Sequence, residues 1–106
     1  MSHDELDLQT VTQMTFWFHQ DPGHGWLQVS HALLTELKIT KDITSFSYRD
    51  SKYAYLEEDL DLGTFLGALF QYLQLPYDKE VAQCFWREKV RVRYADPSPI
   101  RGLKPY

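Results

Sequence analysis

The residue types best suited to chemistry cluster in one short segment, residues 19–26, which reads HQDPGHGW. Two imidazoles, those of His19 and His24, lie on either side of the carboxylate of Asp21. Zinc and related ions accept nitrogen and oxygen ligands of these kinds, and a loop can bring three of them together. A histidine oriented by a nearby carboxylate can instead act as a general base. The segment is therefore a candidate metal or acid–base site.

A structural interpretation of the same segment competes with the chemical one. Asp21 can accept hydrogen bonds from its own turn, which leaves the histidines to solvent or to backbone partners. The spacing matches no strong zinc motif, and the chain contains no Gly-x-Ser-x-Gly nucleophile motif and no phosphate-binding glycine loop. Cys84 lies in an apolar run, where a thiol usually packs as a small core residue. We predict no catalytic residue, no metal ion and no cofactor.

The neighbouring elements predict that the segment is a turn between two strands. Residues 14–19 alternate at strand spacing, and residues 26–29 form the predicted return strand. Pro22 and Gly23 favour a chain reversal between them. Ser30 can cap a short amphipathic helix that follows. A turn in this position would hold its polar side chains close together at one edge of a sheet.

A second hairpin is predicted from two β-prone runs, residues 44–49 and 52–57, around the dipeptide at 50–51. Aromatic residues on the two runs can form cross-strand pairs. These residues are Phe46, Tyr48, Tyr53 and Tyr55. We expect core packing for Phe46, and for Trp26 on the earlier return strand, but not for all three tyrosines.

The strongest helical pattern follows a cluster of carboxylates. Apolar residues from Leu62 to Leu73 have the spacing of one helix face, which predicts the central core helix. Gly63 and Gly67 lie four residues apart on it, and we expect another element to pack closely there. The carboxylates before the helix favour a capping role over a ligand site, with Asp59 or Asp61 as the cap. The cluster consists of Glu57, Glu58, Asp59 and Asp61.

The last third of the chain predicts two more strands, over residues 81–87 and 90–94. In the second, Arg91 and Arg93 point to one side and the valines to the other. Prolines from residue 95 onward favour an extended C-terminal segment.

The whole pattern predicts a single α+β domain. Residues 1–13 are expected to be a flexible N-terminal arm, and residues 14–106 to form the domain. In that domain a mostly antiparallel sheet of five or six strands packs against two helices.

Composition limits the classes of function. The formal charge of −4 argues against a protein whose affinity comes from neutralising phosphates, so nucleic acid is a possible but not a favoured partner. A single cysteine excludes an internal disulfide and fits a reducing compartment. The polar, acidic start is unlike a signal peptide, and no apolar run approaches membrane-spanning length. We therefore expect a cytoplasmic protein without a membrane partner.

Several short motifs resemble a family of small proteins encoded by bacteriophages and mobile elements. The motifs are DPGHGWL at 21–27, SYR at 47–49, YLEED at 55–59 and IR at 100–101, and the resemblance covers residues 15–103. It implies no established activity and no catalytic residue. It does imply a context in which compact, acidic proteins bind and block a host protein, as anti-CRISPR and other anti-defence inhibitors do.

We therefore predict a non-catalytic protein, a monomer or homodimer, that binds a host protein stoichiometrically. Tyrosine, tryptophan and arginine are common anchors of interfaces, and several lie in the predicted turn, hairpin and last strand. The candidate binding residues are His19, Asp21, His24, Trp26, Tyr48, Arg49, Tyr53, Tyr55, Arg91 and Arg93. The alternative is a small metal-dependent or acid–base enzyme centred on His19, Asp21 and His24.

Overall fold

A six-stranded mixed sheet organises the protein in the computed structural model, which describes residues 14–106. The strands are β1 (Phe16–Gln20), β2 (Gly25–Ser30), β3 (Tyr48–Arg49), β4 (Tyr53–Glu57), β5 (Val90–Tyr94) and β6 (Lys104–Pro105). Their order across the sheet is β5-β1-β2-β4-β3-β6. β1 and β5 run parallel, and the other neighbouring strands run antiparallel. The predicted α+β class is confirmed, with one parallel pair in the sheet.

The described residues include three α-helices, one more than predicted. They are α1 (His31–Glu36), α2 (Asp61–Tyr72) and α3 (Lys79–Lys89), and short 3-10 turns lie at Thr40–Asp42 and Pro99–Gly102. Ser30 caps α1 as predicted, because its hydroxyl accepts a hydrogen bond from the backbone N–H of Leu33 at 3.1 Å. No helix within residues 14–106 combines the length and the apolar character needed to cross a membrane.

Helix α3 shows that the strand prediction for residues 81–87 is wrong. Asp78 stands at the N-cap, and its carboxylate accepts a hydrogen bond from the backbone N–H of Val81 at 2.9 Å. Apolar residues then recur at helical spacing, which the valine and aromatic content of the segment obscured. Those that pack against the core are Val81, Ala82, Phe85 and Trp86. The strand predicted at 90–94 is confirmed as β5.

The helices cover one face of the sheet and form the main core with it. Phe65 of α2 is fully buried, and its ring meets Phe16 of β1 edge-on at a centroid distance of 5.7 Å. Leu27 and Leu56, on the two central strands, are also fully buried. The prediction of α2 as the central core helix is confirmed.

The close packing predicted at the glycines of α2 is absent. A Cβ added to Gly63 would meet no atom within 4 Å, and one added to Gly67 would lie 3.7 Å from the ring of Tyr77, an ordinary contact. Close approach occurs instead at Gly25, the first residue of β2, where an added Cβ would overlap the ring of Phe18. The sheet therefore needs a glycine at the end of the β1–β2 turn.

The second face of the sheet is polar and aromatic, since side chains alternate between faces along each strand. The C-terminal segment crosses part of this face, and Ile100, 4% exposed, packs there with Trp26 and Tyr55. This segment contains a 3-10 turn and β6, so it is less extended than the prolines predicted. The arm predicted for residues 1–13 lies outside the described residues.

Candidate functional site at an aromatic cleft

The turn between β1 and β2 is built around the carboxylate of Asp21, whose side chain is 2% exposed. Its Oδ1 accepts hydrogen bonds from the backbone N–H groups of Gly23 at 3.0 Å and His24 at 2.9 Å. Arg101 donates from Nε to Oδ2 at 2.6 Å and from Nη2 to Oδ1 at 3.0 Å. The backbone N–H of Ser98 adds a bond at 3.3 Å. Asp21 therefore caps its own turn, as the structural interpretation predicted, and also ties the turn to the C-terminal segment.

These contacts hold the pKa of Asp21 far below the ordinary value of 3.8. The largest cause is the hydrogen bond from Arg101, and three backbone N–H groups add to it, while burial acts in the opposite direction. A carboxylate with a lowered folded-state pKa stabilises the fold above its unfolded-state pKa. That stabilisation is lost as the pH falls from there toward the folded-state pKa.

An acid-dependence experiment tests this pairing. We expect the free energy of unfolding of the wild-type chain to fall more between about pH 6 and about pH 3 than that of Asp21→Asn, which has no carboxyl group to titrate at this position. Urea denaturation at the two pH values measures both. Equal losses in the two proteins would show that the pairing does not stabilise the folded chain.

His19 at the end of β1 and His24 in the turn each have partners of their own. Nε2 of His19 lies 2.7 Å from Oε1 of Gln28, while the ring of His24 packs against Trp26 at a centroid distance of 6.0 Å. Within residues 14–106, no three histidine, cysteine, aspartate or glutamate side chains are grouped to hold a metal ion. Backbone and arginine contacts organise the turn, and the ring nitrogens do not converge on Asp21.

Phe46 contradicts the core packing expected for it, because it is 72% exposed; Trp26, at 3%, is buried as predicted. The strand predicted from residue 44 begins only at Tyr48, and β3 contains only Tyr48–Arg49. The preceding residues form turns, and Ser47 is fully buried in place of the aromatic ring. An exposed phenylalanine on a loop of this kind is a candidate contact residue.

The buried carboxylate of Asp61, at the start of α2, fixes this loop. It accepts hydrogen bonds from the backbone N–H of Thr44 at 3.1 Å, from the hydroxyl of Thr44 at 2.8 Å and from the hydroxyl of Ser47. The oxygen of Ser47 in turn accepts from the backbone N–H of Glu57 at 3.0 Å. The loop that carries Phe46 is therefore tied to both α2 and β4.

Glu57 accepts hydrogen bonds from the free backbone N–H groups at the start of α2, a role expected for Asp59 or Asp61. Its two carboxylate oxygens accept from the backbone N–H groups of Asp61 at 3.1 Å and Asp59 at 2.9 Å. Leu60 occupies the N-cap position and makes no side-chain capping bond. The acidic cluster serves the helix start, as predicted, but through a glutamate that reaches forward from β4.

A cleft of about 280 Å³ opens where the turn, the Phe46 loop and the C-terminal segment meet. We name it the aromatic cleft, and its lining residues are His24, Trp26, Phe46, Tyr48, Glu57, Asp59 and Arg101. The guanidinium carbon of Arg101 lies 5.2 Å from the centre of the Trp26 ring, and Tyr48 meets that ring edge-on at 6.0 Å. The cleft thus offers aromatic surface beside charged groups of both signs.

The carboxylate of Asp50 stabilises the turn of the second hairpin and accepts a hydrogen bond from the hydroxyl of Tyr55. Its oxygens accept from the backbone N–H groups of Lys52 and Tyr53 and, at 2.6 Å, from that hydroxyl. Burial raises the pKa of Asp50, but these hydrogen bonds outweigh burial and the net pKa is lowered. Burial and the hydrogen bond to Asp50 raise the pKa of Tyr55.

Tyr48 of β3 lies opposite Tyr55 of β4, which is one of the predicted cross-strand pairs.

The predicted binding residues fall into three groups. Those that line the aromatic cleft are His24, Trp26 and Tyr48. Trp26 lines the cleft although it is itself buried, and the residues buried away from the cleft are His19, Asp21 and Tyr55. Those that lie outside the cleft are Arg49, Tyr53, Arg91 and Arg93.

The cleft residues that are not among the predicted binding residues are Phe46, Glu57, Asp59 and Arg101, and the sequence pattern assigns the two carboxylates to the start of α2. Phe46 lay in a strand pattern, and Arg101 is 80 positions from Asp21, so no local spacing joins that pair. Comparisons with protein-family models, with curated proteins and with solved structures find no match to this chain.

Proposed function

We propose that this protein acts without catalysis, by stoichiometric binding of another protein, and that the aromatic cleft is its contact surface. The observation that carries the proposal is the exposure of Phe46, at 72%, on a loop that hydrogen bonds of Thr44 and Ser47 hold on both sides of it. Because the loop is already held in place, binding through an apolar side chain that it carries costs less loop ordering. Such side chains are the usual anchors of protein interfaces.

The charges of the cleft favour a basic segment of the partner. The carboxylate of Asp21 offsets the positive charge of Arg101, and the carboxylates of Glu57 and Asp59 add negative charge to the cleft. A lysine or arginine of the partner can approach these carboxylates while its apolar stem packs on Phe46. We expect the Asp59→Lys variant to bind the partner more weakly.

The partner that we propose is a host protein, blocked in the manner of anti-CRISPR and other anti-defence inhibitors. This part of the proposal rests on the resemblance of the DPGHGWL, SYR and YLEED motifs to phage proteins. We place its action in the cytoplasm, a location that the single, free thiol of Cys84 supports.

Photo-crosslinking tests the surface. A photoreactive phenylalanine analogue is introduced in place of Phe46 and, in a matched control, in place of Tyr77, an aromatic residue that is 53% exposed on the α2–α3 connection. We expect position 46 to give one dominant crosslinked host protein, absent from the control, with one copy of each chain. Identical crosslinks from both positions, or none from position 46, would contradict the proposal.

A further inference from the structure

The edge of the sheet formed by β5 is a second surface, at the opposite end from β3 and β6. Among residues 14–106, β1 is the only strand that pairs with β5. Val92 is 52% exposed and Tyr94 is 62% exposed, so the helices leave much of this strand uncovered. An exposed strand edge presents N–H and C=O groups that another extended segment can pair with.

The hydrogen-bond pattern identifies which backbone groups face outward. The backbone N–H of Ala95 donates to the carbonyl of Gln20 at 3.0 Å, so Ala95 faces β1. Successive residues of a strand direct their backbone groups to opposite sides. Arg91 and Arg93 therefore pair toward β1, and the N–H and C=O groups of Val92 and Tyr94 point away from the sheet.

The side chains of β5 divide by charge. Arg91 and Arg93 lie on the polar face of the sheet, and the guanidinium carbon of Arg93 lies 4.6 Å from the centre of the Trp17 ring. Val92 and Tyr94 lie on the other face. A strand that paired here would therefore find a cationic surface on one side and an apolar surface on the other.

A second copy of the chain is a poor occupant of this edge. The outward groups allow antiparallel self-pairing centred on Val92 or one residue to either side. The central register places Arg91 opposite Arg93 of the other copy. The shifted registers place Arg91 opposite Arg91 of the other copy, or Arg93 opposite Arg93. Like charges directly opposite each other destabilise a strand pair.

We propose that the β5 edge binds an extended segment of a partner protein in which acidic residues alternate with apolar ones. The backbone groups of Val92 and Tyr94 pair with that segment, its acidic side chains approach Arg91 and Arg93, and its apolar side chains pack beside Val92. Strand addition of this kind draws affinity from main-chain hydrogen bonds and selectivity from alternate side chains. The surface is distinct from the aromatic cleft, so each site can fail without the other.

A synthetic peptide of about eight residues that alternates glutamate and valine is the probe, titrated against the full chain by fluorescence anisotropy. The expected result is saturable binding at low salt. We expect it to weaken about tenfold or more in the Arg91→Glu/Arg93→Glu double variant and to stay unchanged in Arg49→Glu. Arg49 is exposed on β3, near the opposite edge, and serves as the charge-matched control.

Two further peptides separate strand addition from charge attraction. A probe N-methylated at every residue keeps its charges but has no backbone N–H donor, and we expect about tenfold weaker binding. A lysine–valine peptide should bind the double variant better than the wild-type chain. Equal binding of the methylated probe overturns the proposal. So does the absence of saturable binding of the glutamate–valine probe to the full chain.

Discussion

Replacing Asp61 by alanine is expected to lower the free energy of unfolding by about 3 kcal/mol or more, because the buried hydroxyl of Ser47 and the two half-buried donors of Thr44 lose their acceptor, and a buried donor without its acceptor costs about 1–3 kcal/mol. The fully buried carboxylate accepts from the backbone N–H and hydroxyl of Thr44 and from the hydroxyl of Ser47. Urea denaturation measures the loss. In the same variant, a fluorine label at Phe46 should report a broadened signal, since the loop has lost its attachment.

The matched control is Glu58→Ala, which removes an exposed carboxylate from the same acidic segment. A change within about 0.5 kcal/mol is expected there, because Glu58 lies outside the buried network. If Asp61→Ala were as stable as the control, the carboxylate would not be what holds the loop that carries Phe46.

The substitution Gly25→Ala is expected to destabilise the fold by about 1–3 kcal/mol, the typical cost of overpacking a well-packed core. An added methyl group at this position overlaps the ring of Phe18, which is 5% exposed and packs edge-on against Trp86 at a centroid distance of 5.0 Å. The ring can move only by disturbing this contact between β1 and α3. Thermal and urea unfolding of the variant measure the cost.

Gly63→Ala is the opposite case in the same protein. Gly63 is exposed on α2, and an added methyl group meets nothing within 4 Å. Alanine should therefore stabilise the helix by up to about 1 kcal/mol. Similar effects of the two substitutions would contradict the packing described at Gly25.

Local patterns predicted most elements of the fold. The alternation at residues 14–19, the turn signals at Pro22 and Gly23 and the periodicity of α2 each depend on near neighbours, and each prediction is confirmed. The segment at 81–87 failed because valine, phenylalanine and tryptophan favour strands in isolation. The helix forms instead because Phe85 packs against the core and Asp78 caps its first turn.

The candidate site was only partly predictable because its geometry depends on distant pairs. Trp26 and Tyr48 were selected for their residue type, and the structure places both in the aromatic cleft. The exposure of Phe46 follows from hydrogen bonds between its loop and Asp61, and the position of Arg101 follows from its pairing with Asp21. Neither relation has a signature in local spacing.

The most direct test of the central claim is a calorimetric titration of the crosslinked host protein, once purified, with three chains: wild type, Phe46→Ala and the control Tyr77→Ala. We predict binding of one chain to one partner, at least about 30-fold weaker for Phe46→Ala, as expected for an interface anchor, and unchanged for Tyr77→Ala. Equal affinities of Phe46→Ala and the wild type would contradict the claim that the aromatic cleft is the contact surface.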